Sequence, residues 1–204
     1  MNKPDVSIII PSIRPHKLVG VYESILDATK KNNFEIIVVG PYQLPKELES
    51  KVNIKFIKDY GSPVRASQLG AIVAEGEVLT SISDDAFMLE DSMDIHLEIL
   101  RNLGGDPKNI LITKYYEGQL ENILGKPFLM ENREHRSIIG KNISPGHSTQ
   151  QDRYYKINNA ACTRSPHLPE DWWIFNVVYI YRSFFEELGG WDCEFEGTAM
   201  AHTD

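Results

Sequence analysis

Two hydrophobic patterns alternate along the first half of the chain: short continuous apolar runs and apolar positions at helical spacing. The runs cover residues 6–10, 34–39, 54–57 and 78–82, and the first two are closed by proline or glycine. Continuous apolar runs of this length predict strands that are buried on both faces. The alternation of strands and helices predicts βαβ units and therefore an α/β fold with a mostly parallel sheet.

Three stretches between and after these runs carry apolar residues at the spacing of one helix face. They predict helices whose buried stripes are Leu18, Val21, Ile25 and Ala28; Val64, Leu69, Ile72 and Val73; and Met93, Leu97, Leu100 and Leu103.

The second half of the chain has a different pattern. Residues 106–171 show little periodicity and many prolines, which predicts loops and short strands. Residues 176–181 predict another strand. Ser183 and Glu186 have the spacing of a capping box, which predicts the start of a helix that ends at Gly189 and Gly190. Because the chain stops directly after a polar cluster, we expect it to be a fragment of a longer protein.

Composition narrows the classes of function. The chain has 204 residues, 42% of them hydrophobic, and a formal net charge of -8 from 29 acidic and 21 basic residues. An acidic protein of this kind is not expected to bind nucleic acid. Cys162 and Cys193 lack the spacing of a zinc site or a disulfide framework. The sequence shows neither a signal peptide nor an apolar run that could span a membrane, so we expect a cytoplasmic protein.

Asp84 and Asp85 follow the apolar run at 78–82. Two adjacent carboxylates at the exit of a buried strand are unfavourable unless a cation or well-placed donors compensate their charge. Ligands bind at the carboxyl ends of the strands in α/β sheets, so this pair predicts a metal site in a crevice. The alternative is a turn in which Asp84 caps the next segment.

Five segments in order along the chain carry a resemblance to a known family. They are SIIIPSIRP at 7–15, EIIVVG at 35–40, RASQLGA at 65–71, GEVLTSISDDAFM at 76–88, and RSFFEELGGWDCEFEG at 182–197 followed by HTD. Together they resemble the GT-A fold of family 2 nucleotide-sugar glycosyltransferases. This resemblance implies a Rossmann-like sheet flanked by helices, with a nucleotide-sugar-binding half at 1–105 and an acceptor-binding half at 106–204 of a single domain.

The resemblance also implies which residues bind the nucleotide. Arg14 either pairs with a phosphate or is a solvated loop charge, and Arg65 either lies near the nucleotide or at the surface. Gly40 stands where the family commonly has an aspartate that reads uracil, so the base stays open. Asp59 either takes over that contact or lies in a turn. The nucleotide-binding candidates are Pro11, Ser12, Arg14, Asp59, Arg65 and Asp84.

Asp85 matches the carboxylate of the family that holds Mn²⁺ or Mg²⁺ on the diphosphate, although Ser83 replaces the first carboxylate of the fuller motif. His202 falls where many relatives have an acidic residue, and it is either an additional metal ligand or catalytic group, or a surface histidine. Asp204 is the candidate base. In an inverting transfer such a base removes the proton of the acceptor hydroxyl as that oxygen attacks the anomeric carbon.

The acceptor, a glycan or another hydroxyl compound, is expected to meet aromatic residues. Trp172 and Trp173 predict a stacking platform, although one of them can instead fill the core. Trp191 and Asp192 lie in the turn that the family forms at this position. The alternative to an enzyme is a non-catalytic module that binds a nucleotide or glycan. A sugar nucleotidylyltransferase is disfavoured because the first strand is not followed by a glycine-rich phosphate loop.

Overall fold

A computed structural model describes residues 3–103, 106–113, 154–157, 160–163 and 177–192. Its strands are β1 (Val6–Pro11), β2 (Phe34–Gly40), β3 (Ile54–Lys58), β4 (Val78–Ser81), β5 (Ile110–Thr113), β6 (Tyr154–Ile157), β7 (Ala160–Thr163) and β8 (Val177–Tyr181). Its helices are a short 3-10 helix (Pro15–Lys17), α1 (Leu18–Ala28), α2 (Lys46–Glu49), α3 (Pro63–Val73), α4 (Ser92–Asn102) and α5 (Arg182–Leu188).

The described strands form one sheet in the order β3-β2-β1-β4-β8-β5-β7-β6. β1 pairs in parallel with both β2 and β4, and β2 pairs in parallel with β3. β8 pairs antiparallel with β4 and with β5. The α/β fold and the mostly parallel first half of the sheet are therefore confirmed. Because β8 inserts next to β4, the sheet runs without a break from the first half of the chain into the second.

The continuous apolar run of β1 is explained by cover on both faces of the sheet. Ile8 and Ile10 belong to a core that also contains buried residues of α1 and α4. Ile9, between them, belongs to the core on the opposite face, which contains Ala66 and Ala71 of α3. The parallel pairing places the carboxyl ends of β1 to β4 at one edge of the sheet, where ligands bind in α/β folds.

The predicted stripe of α3 is partly wrong. Val64 is buried, but Ile72 and Val73 are 68% and 39% exposed. Small residues face the sheet instead, because α3 lies so close to β1 that a Cβ on Gly70 would stand 2.4 Å from Ile9 Cγ2. Large side chains do not fit in that space.

The predicted start of the last helix is also wrong. α5 begins at Arg182, with Tyr181 at the N-cap and no side-chain cap. Ser183 lies inside the helix and does not cap it. The predicted end is confirmed, because Gly189 forms the C-cap in the left-handed conformation with φ of 94°.

Within the described ranges, no helix has both the length and the apolar character needed to cross a bilayer. The division of function between residues 1–105 and 106–204 stays a prediction.

Candidate functional site

A cleft of about 480 Å³ opens at the carboxyl edge of the parallel strands. Its wall is formed by the segments that leave β1, β2, β3 and β4, by the first turn of α3, and by one residue after α5. The predicted site residues among its lining are Pro11, Ser12, Arg14, Asp59, Asp84 and Trp191.

The floor of the cleft is a close approach of two chain segments at the ends of β1 and β2. The backbone N–H of Ser12 donates to the carbonyl of Val39 at 2.8 Å. A Cβ on Gly40 would lie 1.9 Å from the carbonyl oxygen of Ser12. Glycine is therefore required at this position, which explains why an aspartate cannot stand here without a shift of the backbone.

Asp84 is almost fully buried and holds the segment that follows β1. Its Oδ2 accepts hydrogen bonds from Ser12 Oγ at 3.1 Å and from the backbone N–H groups of Ile13 and Arg14 at 3.0 and 2.9 Å. Its Oδ1 accepts from the guanidinium of Arg14, through Nε at 2.8 Å and through Nη2. Well-placed donors thus compensate this charge, and protein groups occupy both carboxylate oxygens.

Arg14 connects the two aspartates. Its Nη1 lies 2.7 Å from Asp85 Oδ2, while Nε and Nη2 hold Asp84. The hydrogen bond with Asp84 is the main cause of the raised pKa of Arg14; burial opposes it, and the charges of both aspartates add to it. The side chain is 38% exposed, so the guanidinium reaches the edge of the cleft.

Asp85 is half-buried and faces two cations. Lys17 Nζ lies 3.4 Å from the same oxygen that Arg14 contacts, and Ser83 Oγ donates to the other oxygen. Partial burial raises the pKa of Asp85, but the hydrogen bond from Ser83 and the charges of Arg14 and Lys17 outweigh it and leave the pKa lowered. Asp85 therefore stays ionised at neutral pH.

Asp59 and Arg65 form a pair on the β3 side of the cleft. Arg65 Nε donates to Asp59 Oδ1 at 3.2 Å, and the backbone N–H of Gly61 donates to Oδ2 at 2.9 Å. Asp59 lines the cleft and its side chain is only 11% exposed, whereas that of Arg65 is 50% exposed. Arg65 is thus placed behind Asp59, where it orients the carboxylate.

Trp191 closes the cleft on the β4 side. Its backbone N–H donates to Oε1 of Gln68 in α3 at 2.8 Å, and its ring meets Phe185 of α5 edge-on with centroids 6.0 Å apart. Trp191 also lines a second, mainly apolar pocket of about 260 Å³ between α5 and the sheet. Asp192 is exposed and does not line either space.

The side chains around Asp85 determine whether a divalent cation can bind there. Within the described ranges, no group of three or more His, Cys, Asp and Glu side chains could hold a metal ion. Mg²⁺ is commonly bound by one or two carboxylates together with substrate phosphates. The ionised, half-buried carboxylate of Asp85 fits that mode, in which protein and diphosphate share the ion, and does not fit a preformed cage.

Four predicted residues, His202, Asp204, Trp172 and Trp173, lie outside the described residues. Lys17 and Gln68 were not predicted from the sequence. A signal for Lys17 was present, because it follows Arg14 by three residues and shares its turn after β1. No local signal marked Gln68, since its role depends on contact with a segment more than 100 residues away.

No protein-family model matches the chain, and no curated protein matches it either. Among solved structures, the superposition with S. aureus TarS 1–349 in complex with UDP has a TM-score of 0.57 at 13% identity and covers 91% of this chain and 49% of that chain. For S. aureus TarS 1–349 in complex with UDP-GlcNAc, the TM-score is 0.46 at 17% identity, with 60% of this chain and 38% of that chain covered. That second superposition is too loose to carry an argument.

The chain thus spans less than half of the length of these two neighbours. Identity at this level shows the fold and nothing more. The fold is a mixed α/β fold of the GT-A type, with a mostly parallel sheet flanked by helices.

Proposed function

We propose that this chain is part of a glycosyltransferase that moves a sugar from a nucleoside-diphosphate sugar to a hydroxyl acceptor. The observation that carries the proposal is the convergence of Ser12, Arg14, Asp59 and Asp84 on one cleft at the carboxyl edge of the sheet. Asp85 does not line the cleft but is paired with Arg14, which does. The cleft volume suits a nucleotide-sized ligand. The UDP complex of S. aureus TarS, which shares the fold, supports the same choice of ligand.

In this proposal the described residues have distinct roles. Asp84 positions the segment after β1, so that Ser12 and Arg14 meet the ribose and phosphates. Asp59, oriented by Arg65, contacts the base. Asp85 is the residue that would hold Mn²⁺ or Mg²⁺, and the cation would supply charge stabilisation for the departing diphosphate.

The transfer itself is proposed to be inverting and of the family 2 type. The acceptor hydroxyl oxygen forms a bond to the anomeric carbon, the bond from that carbon to the diphosphate oxygen breaks, and Asp204 takes the hydroxyl proton. His202 is proposed as an additional ligand or catalytic group, and Trp172, Trp173, Trp191 and Asp192 as the acceptor side.

The test is binding and turnover of a panel of UDP, GDP and dTDP sugars with Mn²⁺. We expect one donor to bind by calorimetry and to be transferred or slowly hydrolysed, and we expect Asp85→Ala to abolish turnover. Glu23→Ala, which removes an exposed carboxylate of α1 instead, serves as the matched control. The proposal fails if the panel shows no binding and Asp85→Ala behaves like the control.

A non-catalytic binding module is the second candidate. It is favoured because both aspartates already have partners within the protein. Asp84 accepts hydrogen bonds from protein donors, and Asp85 forms ion pairs with Arg14 and Lys17. Tight binding of a nucleotide without any hydrolysis or transfer, and without a dependence on Mn²⁺, would select this candidate.

A further inference from the structure

Lys17 is a cation beside Asp85, outside the cleft lining, that the proposed function does not use. It is the last residue of the 3-10 helix after β1 and the N-cap of α1. Its side chain is 39% exposed, and its one described ion pair is with Asp85 at 3.4 Å. This distance is at the long end for a hydrogen bond, so the contact is weak and open to exchange.

Arg14 and Lys17 contact the same oxygen of Asp85 but are held very differently. Arg14 is fixed by its additional hydrogen bonds to Asp84, whose side chain is only 3% exposed. Lys17 has no such anchor among its described contacts, and its ammonium sits on a flexible four-carbon stem. If one cation leaves Asp85, it is Lys17.

The charges of Arg14, Lys17, Asp84 and Asp85 sum to zero. Arg14 and Lys17 contribute two positive charges, and Asp84 and Asp85 contribute two negative charges. A divalent cation that joins Asp85 adds positive charge beside Lys17, which repels the ammonium. A diphosphate that shares this cation adds negative charge next to it, which attracts the ammonium of Lys17.

We infer that Lys17 is a displaceable cation that occupies Asp85 in the unliganded protein and moves to the donor diphosphate when a divalent cation takes its place. This inference rests on the proposed function and adds a residue to it. Lys17 thereby opposes metal binding in the absence of nucleotide and favours nucleotide binding in the presence of metal. Its charge also stabilises the diphosphate as negative charge develops on it.

The experiment compares Lys17→Gln with wild type in two titrations. In the first, Mn²⁺ is added to the protein alone, and binding is measured as the loss of the electron paramagnetic resonance signal of free Mn²⁺. In the second, UDP, GDP or dTDP is added at saturating Mn²⁺, and binding is measured by calorimetry. For Lys17→Gln we expect Mn²⁺ to bind about threefold more tightly, since an exposed ion pair no longer competes. The nucleoside diphosphate is expected to bind about fivefold to tenfold more weakly, since a charge-assisted contact is lost.

Two further variants sharpen the test. Lys17→Arg keeps the charge and is expected to retain nucleotide affinity. Lys30→Gln removes another ion-paired lysine, which lies 2.7 Å from Glu90 and 3.3 Å from Asp91, away from the cleft lining. It is expected to change neither titration.

The outcomes separate the two claims. Opposite shifts in the two titrations of Lys17→Gln support the inference. Unchanged titrations, shifts in the same direction, or equal shifts in Lys30→Gln overturn the role of Lys17 and leave the proposed function standing. A wild type that takes up Mn²⁺ but none of the nucleoside diphosphates overturns the proposed function and, with it, the phosphate role of Lys17.

Discussion

Arg14 and Asp84 are joined by both backbone and side chain. The carboxylate of Asp84 accepts the backbone N–H of Arg14 on one oxygen and the guanidinium of Arg14 on the other. The two residues are 70 positions apart in the sequence. Arg14 follows β1, and Asp84 follows β4. This link fixes the segment that forms one wall of the cleft.

Replacement of Asp84 by asparagine tests that link. Asp84→Asn keeps the size of the side chain but replaces one acceptor oxygen by an NH₂ group that faces donors, and it removes the negative charge that pairs with the guanidinium of Arg14. We expect a loss of about 2–4 kcal/mol in the free energy of unfolding, measured by urea denaturation. The exposed control Glu23→Gln should stay within about 0.5 kcal/mol of wild type. Equal stability of the two variants would show that Asp84 does not hold the segment.

Two glycine-to-alanine substitutions test the close approach below the cleft. Gly40→Ala places a Cβ 1.9 Å from the carbonyl oxygen of Ser12, and two backbone segments must move apart. We expect a loss of about 1–3 kcal/mol or more, together with weaker nucleotide binding. In Gly20→Ala the new Cβ meets the ring of Phe87 at 3.1 Å, and that ring can turn aside. Because alanine favours the helix, this variant should stay within about 1 kcal/mol of wild type.

The acid stability of the protein is expected to depend on Glu35. This buried carboxylate accepts hydrogen bonds from Ser7 Oγ and the backbone N–H of Glu75, both at 2.6 Å, and lies 2.8 Å from Lys55 Nζ. Burial raises the pKa of Glu35, but Lys55, Ser7 and Glu75 outweigh it and leave the pKa below its ordinary value of 4.5.

The sign of the pH effect follows from this lowered pKa. The contribution of Glu35 is complete above its unfolded-state pKa near 4.5 and is lost as the pH falls through its lower folded-state pKa. We expect Glu35→Gln to cost about 1–3 kcal/mol at neutral pH and to approach the wild type as the pH falls. Urea denaturation at a series of pH values measures both curves. A difference that stays constant down to about pH 3 would contradict the linkage.

The identity of the base can be tested through Asp59. A carboxylate accepts a hydrogen bond from N3–H of uracil, whereas N3 of cytosine is itself an acceptor. We expect Asp59→Asn to weaken UDP binding about tenfold and CDP binding less, so that the dissociation constant of CDP divided by that of UDP falls. Calorimetry with both nucleotides measures this ratio. An unchanged ratio, with an unchanged melting temperature, would place the base elsewhere in the cleft.

Part of this picture could be predicted from local sequence. Strands buried on both faces need continuous apolar residues, so β1 to β4 were recognisable from their runs. Parallel strands place their carboxyl ends at one edge, so the position of Asp84 at a crevice followed from the alternation of strands and helices. These predictions match the fold because strand formation and the direction of parallel strands depend mainly on residues that are neighbours in sequence.

Other features were decided by contacts between distant segments. The buried face of α3 consists of small residues because Gly70 comes against Ile9, which a search for large apolar residues could not anticipate. Gly40 looked like a missing base reader, but the carbonyl of Ser12 excludes any side chain there.

The fold class and the edge of the sheet at which charged residues gather could be predicted from the sequence, because both follow from short-range periodicity. The roles of those charges depend on contacts between distant segments and were visible only in the folded structure. Asp84 turned inward to hold a backbone segment, and Asp85 was left facing Arg14 and Lys17. The physical reason is that a carboxylate takes the donors nearest to it in space, and folding brings those donors from residues about 70 positions away.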